Sequence, residues 1–347
     1  MRTHARSSLC TIKMTILLAF ILSLLSCKLH LATAASASAS ASDTPRTGSW
    51  QNCTAIPDAN PQKQDHPDSA YTTISCERIH YRIPESSLGR ANDPIIIGVL
   101  SGAAIKDRRT SIRSTWAYKK RNVFFIVGGP WEDIEVEYRE YGDLLWIDRE
   151  EIYITETSVL TFKTESFLSI MYERIMQANT NIEYIVKADD DSYIHLQMLN
   201  RALLKENWGM ESLDYWGKCH DEAWKPHRNQ VIPWQKKWYI SYKTYPEPEY
   251  PPYCQGAGIA LSRKFLDCAI GKGHAAQIRY MPNEDTAVGM LAERCGIPTM
   301  NDDRVWIRWD HDITMKGKII QHYVKSEKDM RLHHQSATGV KGPIVLL

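Results

Sequence analysis

Short apolar runs alternate along this chain with stretches in which apolar residues recur at the helical period. Continuous runs of about four to eight apolar residues are typical of buried strands, and helical recurrence is typical of a helix with one buried face. The strand-like runs lie at 93–100, 122–127, 144–148, 182–186, 255–262 and 319–325. The helix-like stretches lie at 108–116, 134–141, 161–177, 196–204 and 283–292. This alternation predicts an α/β domain with a mostly parallel central sheet.

The N-terminal region has a different pattern. An apolar run at 14–35 follows Arg2, Arg6 and Lys13, and precedes an Ala/Ser repeat and a polar stretch. Such a run is either a cleaved signal peptide or an anchor of roughly the length that a bilayer needs. In both cases the basic flank predicts that the rest of the chain is translocated. The Ala/Ser repeat and the polar stretch cannot build a core, so we expect a flexible stem there.

Cysteine usage agrees with a translocated chain. The cysteines beyond the apolar run are Cys53, Cys76, Cys219, Cys254, Cys268 and Cys295. Because no C-x-x-C pair occurs and the compartment is oxidising, we expect disulfides and no metal site among them. Pairing by proximity joins 53 with 76, 219 with 254, and 268 with 295. Asn52 lies in an acceptor triplet for N-glycosylation. The formal net charge of +1 creates no global field for nucleic acid, which we therefore exclude as a partner.

Three consecutive carboxylates follow the apolar run at 182–186. Side chains alternate along a strand, so Asp189 and Asp191 point to one side and Asp190 to the other. Two carboxylates on one side of a sheet edge repel each other unless a cation lies between them, and hard oxygen ligands suit Mg²⁺ or Mn²⁺. A solvated acidic turn is the alternative. The neighbouring strand and helix favour a metal site, since ligands bind at the carboxyl ends of strands in open α/β sheets.

The first strand-like run of the domain ends in small residues, 101–104, and an arginine-bearing helix follows. Arg109 and Arg113 are four residues apart and share a helix face. Together with the turn that begins at Ser101, they can grip a diphosphate or a base. A solvated basic face is the alternative.

Three further features are candidates for the site. Trp, Tyr and Pro are concentrated between 208 and 253, which predicts either a loop that packs through its own aromatics or a surface that stacks on sugars. Glu284 and Asp285 begin a predicted helix, where the macrodipole favours ionised carboxylates, so a plain helix cap is the alternative to a functional pair. His322 lies in the last strand-like run, where a lone histidine is more often structural than a ligand.

These segments follow one another in a specific order. The motifs are Arg109-x-x-Ile112-Arg113-x-Thr115-Trp116, Phe125-x-Val127-Gly128, Leu160-x-x-Lys163-Thr164, Lys187-x-Asp189-Asp190-Asp191, Pro226-x-Arg228, Lys237-Trp238-Tyr239, Tyr250-Pro251-x-Tyr253-x-x-Gly256-x-Gly258, Glu284-Asp285-x-x-x-Gly289 and His322. In this order the chain, over residues 94–325, resembles the β-1,3-galactosyltransferase family (glycosyltransferase family 31).

The resemblance implies a single GT-A (Rossmann-like) catalytic domain, a UDP-sugar donor, Mn²⁺ as cofactor and inversion at the anomeric carbon. It also implies a single-pass type II protein of the Golgi membrane with a lumenal catalytic domain. The expected boundaries are a cytosolic tail at 1–13, a transmembrane signal-anchor at 14–35, a stem at 36–90, the catalytic domain at 91–330 and a C-terminal tail at 331–347.

The implied reaction is transfer of galactose from UDP-galactose to a hydroxyl of a glycan, glycoprotein or glycolipid acceptor in β-1,3 linkage, in protein glycosylation. Two alternatives stay open. One is transfer of N-acetylglucosamine, and the other is a non-catalytic lumenal carbohydrate-binding protein.

The resemblance also implies individual roles. Asp285 matches the catalytic base, and Glu284 would orient or bind the acceptor. The implied metal ligands are Asp191, Asp189 and His322. The implied nucleotide-binding residues are Arg109, Arg113, Lys187, Asp189, Asp190 and Ser101.

Overall fold

A computed structural model shows how these segments assemble. It describes residues 46–56, 73–84, 93–152, 159–178, 181–206, 213–220, 224–229, 231, 238–242, 244–275, 281–308 and 312–340. The strands are β1 (Arg46–Ile56), β2 (Thr73–Ile83), β3 (Ile95–Leu100), β4 (Val123–Val127), β5 (Leu144–Ile147), β6 (Tyr184–Asp189), β7 (Tyr193–Ile194), β8 (Tyr215–His220), β9 (Tyr253–Ser262), β10 (Met300–Asn301), β11 (Val305–Trp306) and β12 (Ile320–Gln321). The helices are α1 (Lys106–Arg113), α2 (Trp131–Tyr141), α3 (Val159–Ala178), α4 (Leu196–Leu204), α5 (Arg263–Leu266), α6 (Glu284–Arg294) and α7 (Glu327–Thr338).

The main sheet has a parallel centre and mostly antiparallel flanks. Within the described residues its order is β1-β2-β5-β4-β3-β6-β9-β8-β10. Strands β5, β4, β3 and β6 run parallel to one another, whereas β9 is antiparallel to both β6 and β8. A small second sheet joins β11, β12 and β7. The predicted α/β class is confirmed, and the carboxyl ends of β3 and β6 lie side by side, with Leu100 opposite Asp189.

Both faces of the parallel centre are buried. Phe124 and Ile126 belong to one core cluster, and their neighbours Phe125 and Val127 belong to the other. Alternate residues of a strand point to opposite faces, so these continuous apolar runs serve two hydrophobic layers, as is typical of a parallel sheet covered by helices. Rigid packing on both faces gives the strand ends a fixed frame.

The domain begins earlier in the sequence than predicted. We assigned residues 36–90 to a flexible stem, but β2 pairs with β5, and Ile79, Tyr81 and Ile83 are buried in the core. The expected boundary at residue 91 is therefore wrong. We did not predict β2, because its alternating apolar residues lie in a largely polar stretch.

The C-terminal boundary also needs correction, since we expected a tail at 331–347. Helix α7 extends to residue 338 and buries Met330 and His333.

Two of the three expected disulfides are confirmed. Bonds join Cys219 to Cys254 and Cys268 to Cys295. The strand register places residue 53 opposite residue 76, but their side chains lie outside the described set, so that pairing stays a prediction. The expected cytosolic tail, anchor and Ala/Ser repeat also lie outside the described residues. Among the residues that are described, no helix combines the length and apolar character needed to cross a bilayer.

Candidate active site

The first cluster of candidate residues lies at the end of β6. Nε2 of His322 lies 2.9 Å from Oδ1 of Asp191 and 3.7 Å from Oδ2 of Asp189. One ligand atom from each of the three residues lies within 4.8 Å of the other two. The structure thus brings together the three residues that the sequence analysis assigned to a metal, although they are separated by up to 133 positions (322 − 189).

Backbone pairing explains this meeting. Strand β12 runs antiparallel to β7, which follows the carboxylates directly, and the amide N–H of Val324 donates to the carbonyl of Asp191 over 2.8 Å. Burial opposes ionisation of Asp191, but the hydrogen bond and charge of His322 and the charge of Arg108 hold the pKa of this carboxyl below its usual value. Two carboxylates and an imidazole form a donor set that suits Mn²⁺. The residues present therefore fit the expected metal.

Asp190 points the other way, as the strand alternation predicts. Its carboxylate accepts from the hydroxyl of Ser101 over 2.9 Å and from the guanidinium of Arg108 over 2.6 Å. Burial raises the pKa of Asp190 although both partners favour its ionised form. Arg108 is partly exposed and also lies 4.0 Å from Asp191. We did not predict a role for Arg108, although helix periodicity places its side chain on a different face from Arg109 and Arg113.

The second cluster lies where α6 begins. Asn283 caps this helix, and Glu284 and Asp285 form its first turn. Oε1 of Glu284 accepts from the hydroxyl of Thr164 over 3.1 Å, and its Oε2 accepts from Lys187 over 3.0 Å. Glu284 is buried, whereas Asp285 is partly exposed. Of the two acids, only Asp285 is therefore accessible to a substrate. Glu284 instead fixes the positions of Thr164 and Lys187 beside it.

Lys187 joins the two clusters. Its ammonium donates to Asp189 over 2.9 Å, to the carbonyl of Gly256 over 2.6 Å and to Glu284 over 3.0 Å. These contacts use all three of its N–H donors, and the side chain is 1% exposed. We predicted that Lys187 binds the nucleotide. In the structure it is instead a buried residue beneath the site that bridges Asp189 and Glu284.

Gly256 makes room for this arrangement. A Cβ at this position would lie 2.2 Å from a carboxylate oxygen of Asp285, 2.6 Å from Nζ of Lys187 and 2.7 Å from a carboxylate oxygen of Glu284. Every larger residue would displace these groups. Glycine in a strand permits this close approach of neighbouring groups.

Asp285 has the electrostatics of a proton acceptor. Burial raises its pKa well above the usual value, the neighbouring charge of Glu284 raises it further, and Lys187 only partly opposes both. A carboxylate whose pKa is raised in this way is a stronger base than an ordinary aspartate. A partly exposed acid with this property is typical of a general base.

Arg109 does not belong to the site. It is fully buried, and its guanidinium donates to both carboxylate oxygens of Glu137, to the hydroxyl of Ser101 and to the carbonyls of Gly102 and Ala103. Those contacts use all five N–H donors of an arginine, which leaves none for a diphosphate. The predicted nucleotide contact is therefore wrong, and Arg109 shapes the loop after β3 from below.

Arg113 has a similar structural role. Its guanidinium pairs with Glu137 over 2.8 Å and with Asp143 over 2.7 Å, and lies 3.9 Å from the centre of the Tyr141 ring. The side chain is 7% exposed. The shared helix face of the two arginines was predicted correctly, but this face points into the protein and not toward a nucleotide.

Removal of the Arg109 guanidinium should destabilise the protein. We expect Arg109→Met to lower the free energy of unfolding by about 3–5 kcal/mol, because it leaves Glu137 buried with one of its two partners missing. The matched control on the same helix is Lys106→Met, which removes an exposed pair with Glu140 and should cost less than about 1 kcal/mol. Urea unfolding of both variants gives the comparison. Equal stability with weakened UDP binding in Arg109→Met would instead support the nucleotide role.

A further buried pair organises the loops around the site. Lys163 donates to the carbonyl of Ser101 over 2.7 Å and contacts Glu151, which accepts from the backbone N–H groups of Ala103 and Gly128. Burial lowers the pKa of Lys163, although Glu151 opposes the shift. The Lys163-Thr164 motif thus has two structural functions: the lysine fixes the loops after β3 and β4, and the threonine holds Glu284.

The aromatic stretch packs in part through its own rings, which is one of its two predicted roles, and the sugar-stacking surface stays a prediction. Tyr245, Tyr250 and Tyr253 pack with Ala287 of α6 in a small core of their own. Trp224 is 42% exposed and stacks on His220 at 3.9 Å between ring centroids, with Tyr253 edge-on to it. The charge of Asp285 contributes to the raised pKa of Tyr253, so this tryptophan lies on the Asp285 side of the site.

Tyr323 lies next to the first cluster. Its ring stacks on His322 with centroids 4.0 Å apart and is 40% exposed. Burial raises the pKa of its hydroxyl, and the charges of Asp191, Asp189 and Asp285 raise it further. The hydroxyl is therefore within electrostatic range of both carboxylate clusters. The sequence analysis did not single out this residue.

The fold and the two carboxylate clusters are those expected of an enzyme that transfers a sugar, and comparison with known proteins makes the class definite. A family profile described as galactosyltransferase matches residues 107–303, more than half of the 347 residues. The chain belongs to the β-1,3-galactosyltransferase family and is a hexosyltransferase.

Individual relatives support the same family. Beta-1,3-galactosyltransferase 5 of Gorilla gorilla gorilla is 25% identical over 228 residues, which cover 62% of this chain and 70% of the relative. Beta-1,3-galactosyltransferase GALT1 of Arabidopsis thaliana is 29% identical over 246 residues, 66% of this chain and 35% of the relative. The human UDP-GalNAc:beta-1,3-N-acetylgalactosaminyltransferase 1 is 26% identical over 236 residues, 63% of this chain and 66% of the relative.

A solved structure also aligns with the chain. It is a glycosyltransferase involved in the glycosylation of the major capsid of PBCV-1, is 14% identical and covers 69% of this chain and 99% of its own. The TM-score of this alignment is 0.33.

Proposed function

We propose that this enzyme transfers galactose from UDP-galactose to a sugar hydroxyl of a glycan acceptor in β-1,3 linkage, with inversion and with Mn²⁺ as cofactor. The observation that carries the proposal is the pair of acidic clusters. Asp189, Asp191 and His322 form one, Asp285 with Glu284 forms the other, and Lys187 ties them together. One cluster fits a cation that holds a diphosphate, and the other fits proton removal from an acceptor.

The donor side of the proposal rests on the first cluster. Asp191, Asp189 and His322 would hold the Mn²⁺, which supplies positive charge to the diphosphate as negative charge develops on it. Arg108 lies beside these acids, and the charge of Lys325 contributes to the lowered pKa of Asp191. Both cations flank the same edge of the sheet, so we assign them to the phosphates in place of the buried Arg109 and Arg113.

The acceptor side rests on the second cluster. Inversion in a single step requires a base on the face of the sugar opposite the leaving diphosphate, where it takes the proton of the attacking hydroxyl. Asp285 is partly exposed and has a raised pKa, whereas Glu284 is buried and bonded to Thr164 and Lys187. Asp285 therefore takes the proton of the acceptor hydroxyl, and Glu284 orients the Asp285 side chain. We infer that Trp224, exposed on this side, contributes an apolar surface to the acceptor sugar.

Galactose is the proposed hexose because the galactosyltransferase profile matches residues 107–303 and the first relatives carry that name. One relative is named for transfer of N-acetylgalactosamine, so a donor with an N-acetyl group is the second candidate.

We also place the enzyme in the Golgi membrane, with the run at 14–35 as its anchor and the domain in the lumen. Protease treatment of sealed Golgi vesicles tests this topology: a domain digested without detergent would refute it.

A panel of donors tests the proposed reaction. UDP release is measured with UDP-galactose, UDP-N-acetylglucosamine and UDP-N-acetylgalactosamine, in Mn²⁺ or in chelator, with β-galactoside, N-acetylglucosamine and peptide acceptors. We expect acceptor-dependent release to be fastest with UDP-galactose and to be lost in chelator. A faster N-acetylhexosamine donor would change the assigned sugar. Release that is equal in Mn²⁺ and in chelator would refute the metal-dependent mechanism.

A further inference from the structure

Tyr323 has a backbone conformation that side chains rarely adopt. Its φ is +66°, and in the described chain the only other residue besides glycine with positive φ is Lys119, at +53°. For a bulky residue the left-handed region is a genuine outlier, because Cβ crowds the following carbonyl. Strain of this kind persists only where the surroundings enforce it, and it is concentrated at functional sites.

The surroundings of Tyr323 do enforce it. On one side, the N–H of His322 donates to the carbonyl of Trp306 in β11 over 3.0 Å. On the other, the N–H of Val324 donates to the carbonyl of Asp191 over 2.8 Å. The chain is thus fixed to the small sheet before Tyr323 and to the carboxylate loop after it. The turn between these two bonds displays the side chain of Tyr323 beside the metal-binding cluster.

The strained backbone places the Tyr323 ring against His322. The ring covers one side of the His322 imidazole at 4.0 Å with an interplanar angle of 17°, and it remains 40% exposed. The ring therefore lies against the cluster of Asp189, Asp191 and His322, and Lys187 joins Asp189 of that cluster to Glu284 of the other. In an inverting transfer the moving hexose lies between the diphosphate and the base, so a partly exposed side chain on the diphosphate side of two joined clusters lies beside that hexose.

We propose that Tyr323 is a substrate-positioning residue whose ring, held beside the metal-binding cluster by a strained backbone, forms the wall against which the transferred hexose is oriented. The inference rests on the proposed function, since it takes the two clusters as the diphosphate and base sides of one reaction. The contribution is to orientation, and the ring neither binds the cation nor accepts the proton. Its removal should therefore impair transfer far more than it impairs the binding of UDP.

Three substitutions test this in the full-length enzyme. Tyr323→Gly removes both the ring and the strain, Tyr323→Ala removes the ring but keeps most of the strain, and Tyr323→Phe keeps the ring. We expect kcat/KM for transfer to fall by about 100-fold in the glycine and alanine variants, the effect of a misplaced substrate. The phenylalanine variant should stay within about threefold of the wild type, because the ring supplies the wall. Affinity for UDP in Mn²⁺, measured by calorimetry, should change by less than about threefold in all three.

Thermal unfolding supplies a readout that does not depend on activity. Tyr323→Gly should have a higher Tm than Tyr323→Ala, because glycine adopts positive φ at no steric cost. The matched control is Lys119, the other residue with positive φ, which is exposed and lies in the turn after α1. Lys119→Gly should likewise be more stable than Lys119→Ala, and both should transfer sugar at the wild-type rate.

The outcomes separate the alternatives. A glycine variant at position 323 that transfers within about threefold of the wild-type rate would refute the positioning role. A loss of UDP affinity in Mn²⁺ as large as the loss of transfer would also refute it, and would reduce Tyr323 to a support for His322. If the wild type transferred no sugar from any UDP donor, the proposed function itself would fail, while the order of the Tm values would still report the strain.

Discussion

Replacing Asp285 by asparagine is expected to lower the rate of transfer by about 100- to 10,000-fold, the usual contribution of a positioned general base. Asparagine has nearly the same shape, so the carboxylate network with Glu284 and Lys187 should keep its geometry. The amide cannot take the acceptor proton, and only this step is lost. The metal-binding cluster is untouched, and affinity for UDP in Mn²⁺ should stay within about threefold of the wild type.

Rate and binding are measured separately, by UDP release with acceptor present and by calorimetric titration with UDP. Unchanged turnover in Asp285→Asn would reject the assignment of the base. A parallel loss of UDP affinity would show that Asp285 serves the donor side or the fold.

The pH dependence of the wild-type enzyme follows from the same residue. Asp285 acts only in its ionised form, and its pKa lies well above the usual value. The rate should therefore fall as the pH drops through this raised pKa, at a higher pH than an ordinary aspartate would produce. Glu284→Gln removes the neighbouring negative charge, which lowers the pKa of Asp285 and should move this acid limb to lower pH. A limb that stays in place in Glu284→Gln would disprove the electrostatic coupling.

The strand-end chemistry was predictable because it depends on local rules. Continuous apolar runs predicted the buried strands, and alternation predicted that Asp190 would point away from Asp189 and Asp191. Periodicity could not predict that Asp191 and His322, which are far apart in the sequence, lie close together in space. That assignment came from the resemblance in motif order, and the antiparallel pairing of β12 with β7 gives its physical cause.

The errors have a common physical origin. Arg109 and Arg113 were assigned to the nucleotide from their shared helix face, and Lys187 from the resemblance to the family. Their partners Glu137 and Glu284 lie far from them in the sequence, so no local pattern reveals that these three charges are compensated within the interior. The partly exposed cation nearby is Arg108, which precedes the buried Arg109 by one residue. A shift of one position along a helix is enough to turn a side chain to another face.

The boundary error at β2 has a different cause. Strand β2 lies between β1 and β5 and pairs antiparallel with both. An antiparallel strand with one solvated face has few apolar residues, and only alternate residues of 79–83 are buried. The polar surroundings of the predicted stem concealed this alternation. A strand of this kind is recognised from its pairing with β5, which requires the coordinates.

Asp191→Ala is expected to weaken the binding of UDP in Mn²⁺ by at least about 10- to 100-fold, as loss of support for a bound metal does, while leaving binding in chelator nearly unchanged. The reason is that Asp191 contacts the diphosphate only through the cation. Calorimetric titrations with UDP, in Mn²⁺ and in chelator, give the two affinities. Asp303→Ala is the control, since this aspartate is exposed and pairs with Lys218. Equal losses in both conditions would show that Asp191 supports the fold and not an ion.

A double-mutant cycle sharpens the result. His322→Ala should show the same dependence on Mn²⁺ as Asp191→Ala. If both side chains hold one ion, the first substitution already removes most of what the second could remove, so the losses should be strongly non-additive in Mn²⁺. In chelator the cycle should show little coupling, because only the hydrogen bond of 2.9 Å between the two side chains then links them. Additive losses in Mn²⁺ would mean that Asp191 and His322 act independently, and the shared cation on which the proposed reaction depends would have to be abandoned.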